Sequence, residues 1–248
     1  MKGVAIVGAT SRIAECCARL WATKGTKFFL AARDQERLDR IRGDLGVRTG
    51  NPGDVAAITF DALAYGSFSE IAAAAEKHLG AIDIVLIAHG VVPEQTLCEK
   101  DLDVARRSLE VNGLSTVLLA EAFAGRMAPK HQGMIAVIGS VAGDRGRRSN
   151  YVYGAAKAMV DRYLQGMRHR LSTEGLQIVT IKPGPTDTPM TANYNQPGVR
   201  LADPDVVARR IVEGIDARRA VIYAPGIWRW IMLIVRHIPD SIFRRMRL

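Results

Sequence analysis

The chain has 248 residues, 48% hydrophobic and 24% charged, which is enough apolar material for one large domain and excludes wholesale disorder. Three cysteines, two of them adjacent at Cys16 and Cys17, exclude a disulfide framework or a zinc spacing and read as core thiols in a reducing compartment. The formal net charge of +9 is uneven: residues 226–248 hold five arginines (229, 236, 244, 245 and 247) against the single acid Asp240. Nucleic acid, an anionic membrane surface or a phosphorylated substrate would each suit such a bias.

Met1-Lys2 runs straight into Gly3-Val-Ala-Ile-Val-Gly8, so no secretory leader is expected and the cytoplasm is the expected compartment. Short apolar runs at 4–7, 27–31, 55–59, 82–87, 134–138, 178–181 and 220–223 predict strands. Amphipathic stretches at 12–24, 36–45, 67–79, 101–127 and 151–173 predict helices between them. This alternation argues for an α/β fold, a doubly wound parallel sheet with helices on both faces. We read residues 1–225 as that single domain and 226–248 as an apolar and basic helical tail. The least regular stretch, 183–204, holds five of the ten prolines and follows a predicted central strand, where ligand crevices form. It reads as a mobile substrate lid or as an inert surface loop.

The first predicted strand feeds Gly8-Ala-Thr10-Ser11-Arg12-Ile13-Ala14 and then a helix. A glycine turn at a helix N-terminus offers backbone N–H groups and the positive dipole end to a pyrophosphate. Only the first glycine of the usual fingerprint is present; Ala14 still permits close packing, while Arg12 either contacts phosphate or reaches solvent. After the second strand Ala32 is followed by Arg33, where a carboxylate would hold a free ribose hydroxyl and an arginine a 2′-phosphate. That favours NADP(H) over NAD(H). Asp34 reads as the cap of the next helix, and Asp61, beside Ala62, as a contact for adenine.

Tyr153-Gly-Ala-Ala-Lys157 places a phenol and an ammonium on one helical face, thirteen residues after Ser140 at a strand end. A neighbouring cation is expected to lower the phenol's pKa and make Tyr153 a proton donor or acceptor. The five histidines (78, 89, 131, 169 and 237) are scattered, and no metal is expected. Arg145, Arg147 and Arg148 lie in the loop before Tyr153 and read either as solvated or as ligands for a phosphate diester.

Together these residues resemble the short-chain dehydrogenase/reductase family over nearly the whole chain. The resemblance rests on the Gly8–Ala14 turn, Asp61, Ile87-Ala88-His89-Gly90, Asn112, Ser140, Tyr153, Lys157 and the Pro183-Gly184 through Thr188 element. It implies a Rossmann-type fold and a nicotinamide dinucleotide held by Gly8, Thr10, Ser11, Arg12, Ile13, Arg33, Asp61, Ala62, Ala88, Gly90, Pro183, Gly184, Thr186 and Thr188. It also implies hydride transfer to a substrate carbonyl, with Tyr153 as acid and Ser140 bonded to the same oxygen. Lys157 would hold the ribose and tune the phenol, Asn112 would anchor a relay water, and Thr188 would fix the carboxamide. A homodimer or homotetramer is implied as well. The chain departs from the pattern at Arg12 and at Ile87-Ala88, where both asparagines of the family's Asn-Asn-Ala-Gly element are missing and with them ties between the central strands.

The stretch from Gly139 to Lys157 and the tail from Ile222 also resemble keto-reductases of decaprenylphosphoryl-arabinose formation. That implies a polyprenyl-phosphate keto-sugar as the carbonyl substrate and a place on the inner face of the cell membrane. Trp228 and Trp230 flanked by arginines suit a helix lying on an anionic membrane, or one buried between subunits. Three rivals stand beside this reading: a fold that has lost catalysis, a soluble reductase of a small ketone or acyl substrate, and a nucleic-acid binder. The last is disfavoured because the basic residues outside the tail lack interleaved aromatics.

Overall fold

The computed structural model describes residues 1–23, 25–192 and 200–246. Seven parallel strands form one sheet in the order β3-β2-β1-β4-β5-β6-β7. They are β1 (Lys2–Val7), β2 (Thr26–Ala32), β3 (Val55–Thr59), β4 (Ile84–Ile87), β5 (Met134–Ile138), β6 (Gln177–Pro183) and β7 (Val221–Ala224). The five central strands, β2, β1, β4, β5 and β6, read as almost unbroken apolar runs because both faces are covered. Val4 and Ile6 of β1 point to one side, under α1 (Arg12–Trp21), α2 (Gln35–Thr49) and α8 (Pro204–Asp216). Ala5 and Val7 point to the other, under α3 (Phe68–Leu79), α6 (Ser115–Met127) and α7 (Tyr151–Leu171).

The seven strands and the layered helices match the expected doubly wound fold. One expected helix does not survive intact. The stretch 101–127 divides into α5 (Leu102–Leu109), a π-helical turn (Glu110–Leu114) and α6. A π-turn inserts about one residue and shifts the phase of the helical pattern, a change that apolar residues on both sides of 110–114 mask in the sequence. Before it lies a short helix, α4 (Gln95–Lys100), which the periodicity did not single out. Nor did it single out α8, although Asp203 caps that helix through Asp205 N and Pro204 sits at its first turn.

The tail forms α9 (Trp228–His237) and a single turn, α10 (Asp240–Phe243). Arg247 and Leu248 of the tail, residues 193–199 (with Pro197) of the expected lid and Lys24 of the first expected helix lie outside the described residues.

Candidate active site

The strand order reverses direction at β1, whose neighbours are β2 and β4. A parallel sheet opens a crevice at such a switch point, beyond the carboxyl ends of the strands. A cleft of about 350 Å³ lies there, lined by the segments that follow β1, β2, β3, β4, β5 and β6. It gathers Gly8, Thr10, Ser11, Arg12, Ile13, Arg33, Asp61, Ala62, Ala88, Gly90, Ser140, Tyr153, Lys157, Pro183, Gly184, Thr186 and Thr188. Of the expected site residues only Asn112 is not on its wall, being fully buried behind it.

The turn after β1 requires glycine. Gly8 has φ +84°, and a Cβ there would stand 2.4 Å from His89 N. Its N–H and that of Ala9 both donate to Ala31 O, at 2.7 and 3.1 Å, which ties the turn to β2. Arg12, the first residue of α1, lies 3.4 Å from Glu15 and on the cleft wall. Arg33 is exposed on that wall, and Asp34 caps α2 by accepting from Arg37 N at 3.0 Å, as expected. Arg37 escaped the sequence reading. Its guanidinium donates to Thr10 O at 3.0 Å and borders the cleft beside Arg33. No local spacing marks it, since Arg33 precedes the Asp34 cap and only folding brings Arg37 to the Thr10 carbonyl. Asp61 accepts from Leu63 N at 3.0 Å.

At the other end of the cleft, Ser140 closes β5 and begins a tight turn in which its Oγ accepts from Ala142 N at 3.0 Å. The loop lies directly on α7. A Cβ on Gly143 would stand 2.8 Å from Lys157 C, and one on Gly154 2.9 Å from Ala142 O. Two glycines thus permit the backbone approach that brings the Ser140 turn against the helix that bears Tyr153. The first turn of α7 is held by Gln95 of α4, whose Oε1 accepts from Val152 N at 3.1 Å. Lys157 Nζ donates to Ile138 O at 3.0 Å and lies 5.7 Å from the Tyr153 ring centroid.

The expected lowering of the phenol pKa is not what the structure gives. Burial pushes Tyr153 up to about 12, outweighing the opposite pull of the Ser140 hydrogen bond. Burial also pushes Lys157 down to about 8, because the desolvated ammonium is the disfavoured form. Adjacent sequence spacing predicted a charge interaction; desolvation of both groups dominates instead.

The π-helical turn positions Asn112. Its Oδ1 accepts from Val91 N at 2.9 Å, and its Nδ2 donates to Val91 O at 2.8 Å and Ser108 O at 2.9 Å. A Cβ on Gly90 would stand 2.8 Å from that Oδ1 and 3.7 Å from Lys157 Nζ, so Asn112, Gly90 and Lys157 meet. His89, standing where the family's element has alanine, supplies a tie of its own. Its Nε2 pairs with the Ser115 hydroxyl at 2.9 Å, and its ring meets Phe60 edge-on at 5.3 Å. Burial, with Lys157 adding to it, holds this imidazole at about 3 and therefore neutral.

The three loop arginines part company. Arg147 borders the cleft, joined by Arg107 of α5, which the sequence reading missed. Arg148 is exposed away from the cleft wall. Arg145 turns the other way: its Nη1 donates to Val235 O at 2.9 Å and Ile238 O at 2.5 Å, at the C-terminal end of α9. It is therefore engaged by the tail rather than presented to a substrate phosphate.

Comparison with known proteins agrees with this architecture. Residues 2–198 match the model of the short chain dehydrogenase family. An uncharacterized oxidoreductase of Streptomyces coelicolor is 29% identical over 251 residues, 99% of this chain and 96% of the relative. A short-chain dehydrogenase from Sphingobium yanoikuyae, solved with NADPH, is 25% identical over 97% of this chain and 98% of its own, with a TM-score of 0.82. One from Burkholderia phymatum, solved with NAD, shares the fold at a TM-score of 0.82 and 21% identity, covering 100% of this chain and 96% of its own. The chain belongs to the short-chain dehydrogenase family.

Proposed function

We propose that this protein is an NAD(P)(H)-dependent oxidoreductase that reduces a ketone to an alcohol. The observation that carries the proposal is the convergence of Ser140, Tyr153 and Lys157 on one wall of the cleft, backed by Gly90 and Asn112. The residues present fit a dinucleotide. The α1 N-terminus faces the cleft, and two buried cleft atoms, His89 Nδ1 and Asn150 Oδ1, have no partner among the described residues.

Gly8, Thr10, Ser11, Arg12, Ile13, Arg33, Asp61, Ala62, Ala88, Gly90, Pro183, Gly184, Thr186 and Thr188 would hold the cofactor. When bound, it supplies the hydride for the carbonyl carbon. Tyr153, whose phenol stays protonated across the neutral range, donates its proton to the developing alkoxide. Ser140 donates a hydrogen bond to the same oxygen as its charge grows. Lys157, anchored on Ile138 O, offers ammonium donors to the ribose hydroxyls and returns a proton to the phenol. Asn112 fixes Val91, and with it the segment bearing Gly90, and anchors the relay water.

Arg33 and Arg37 on one wall support NADP(H) over NAD(H), since paired guanidinium forks match a 2′-phosphate. Arg147 and Arg107 support an anionic carbonyl substrate, with a polyprenyl-phosphate keto-sugar as the proposed class. Exposed apolar side chains on α6 and α7 (Leu118, Met159 and Tyr163) support a homodimer or homotetramer. The test is fluorescence titration with NADPH and NADH, on the wild type and Arg33→Ala, followed by NADPH oxidation over a ketone panel. Expected are tighter NADPH binding that weakens about tenfold or more in Arg33→Ala, and a 10²–10⁴-fold loss of turnover in Tyr153→Phe. Absence of binding by either dinucleotide would sink the proposal.

A further inference from the structure

The tail helix α9 is apolar on two opposite sides, and only one has a partner. Trp228, Met232 and Val235 face the body of the protein, and the Trp228 indole occupies the space a Cβ on Gly184 would need. Arg145 locks the far end. Its guanidinium donates to the last carbonyls of the helix and lies 3.9 Å from the Phe243 ring centroid of α10. The helix is therefore presented as a fixed surface.

Its outer side carries Ile227, Trp230 and Ile234, at helical spacing, with Leu233 beside them. Their exposures of 59%, 60%, 67% and 49% decide that this side is uncovered, and α10 extends it with Ile242. A helix apolar all round is normally buried all round, so the outer face lacks a partner. Arg229, Arg236, Arg244 and Arg245 rim it, all exposed, and among the described residues none has a carboxylate within 4.0 Å. The one acid of the described tail, Asp240, lies 3.8 Å from Arg145.

We propose that α9 and α10 form a docking face for an anionic lipid bilayer, with Trp230, Ile234 and Ile242 entering the acyl boundary and the arginines meeting the headgroups. Ten residues rise about 15 Å, half the hydrocarbon thickness, so the helix lies in the interface. No helix among the described residues is long and apolar enough to cross a membrane. Charge decides between a bilayer and a second copy of the chain. A two-fold contact through this face would set four arginines of each copy against four of the other, with only Asp240, already beside Arg145, to relieve them, whereas anionic lipid complements all four. Because Trp228 sits on Gly184, which lines the cleft, docking would place the cleft beside the lipid surface. The docking itself stands apart from the proposed reductase activity.

The test is co-sedimentation of the full chain with phosphatidylcholine vesicles, with and without phosphatidylglycerol. The variants are Trp230→Ser/Ile234→Ser and Arg229→Gln/Arg236→Gln, with NADPH titration as the check on folding. The wild type is expected to pellet with the anionic vesicles and not with the neutral ones. The apolar pair should abolish pelleting. The arginine pair should weaken it about 30-fold, roughly fivefold for each cation at an anionic surface. NADPH affinity should not change. Equal pelleting of wild type and variants, no pelleting of the wild type, or a fall in oligomer mass in the variants without any effect on lipid binding would overturn the docking. Each of these would leave the reductase reading intact; conversely, loss of NADPH binding with docking retained would overturn only the latter.

Discussion

Lys182→Met tests whether a buried ion cluster holds the catalytic segments in register. Lys182 sits near the end of β6, 4% exposed, just before Pro183-Gly184. Its ammonium lies 2.5 Å from Asp144 Oδ1 and 3.0 Å from Asp161 Oδ2. Asp144 follows the Ser140 turn and also accepts from the Tyr223 hydroxyl at 2.7 Å, which together with burial pushes that phenol well up. Asp161 lies one turn beyond Lys157 on α7 and accepts from Gln165 at 3.2 Å. One cation thus joins the serine loop, the Tyr-Lys helix, the Pro-Gly turn and the strand leading to the tail. Methionine matches the shape but leaves two buried carboxylates without their cation, a loss of roughly 3–5 kcal/mol. In a chain of this length each kcal/mol moves Tm by about 2–4 °C, so a fall of roughly 6–20 °C is expected. Adding Asp144→Asn and Asp161→Asn to the same chain removes the stranded charges and should recover most of that loss. Urea titration at constant slope measures both. A Lys182→Met protein within about 1 kcal/mol of wild type, or a triple variant no better than the single, would refute the reasoning.

Gly8→Ala forces φ +84° on an L residue and drives its Cβ against His89 N, so NADPH affinity should fall at least about tenfold and stability by more than about 1–2 kcal/mol; titration and thermal melting read both, and near-wild-type values would contradict the cradle. Lys157→Met should inactivate the protein yet stabilise it by about 2 kcal/mol at neutral pH, after deducting the lost Ile138 bond. The sign follows from protons. Lys157 is pushed from 10.5 to about 8, so the unfolded wild type binds more protons between those values and gains stability as pH rises through them. The advantage of the variant should therefore vanish above pH 10.5, where urea titration reads it; a variant less stable at pH 7 would overturn the account. Tyr153, raised from 10.0 to about 12, acts in the opposite sense: its contribution is lost as pH rises through that range.

Local signals in the chain determined the frame. Apolar runs bounded by glycine and polar residues marked all seven strands, most plainly the five central ones, because a strand buried on both faces has no polar side to show. Gly8, the Tyr153–Lys157 spacing and the Pro183-Gly184 turn marked the cleft, because each needs a particular residue within a few positions. What only the tertiary structure decided involves groups far apart in sequence. Arg145 and Arg147, two residues apart, face the tail and the cleft respectively, since the carbonyls that claim Arg145 lie some ninety residues later. Lys182, just past the predicted strand at 178–181, has no local partner until folding brings Asp144 and Asp161 to it. The sign of the Tyr153 shift belongs to the same class. Spacing reveals that a cation is near, but desolvation depends on everything packed around the pair, and only the folded chain sets that.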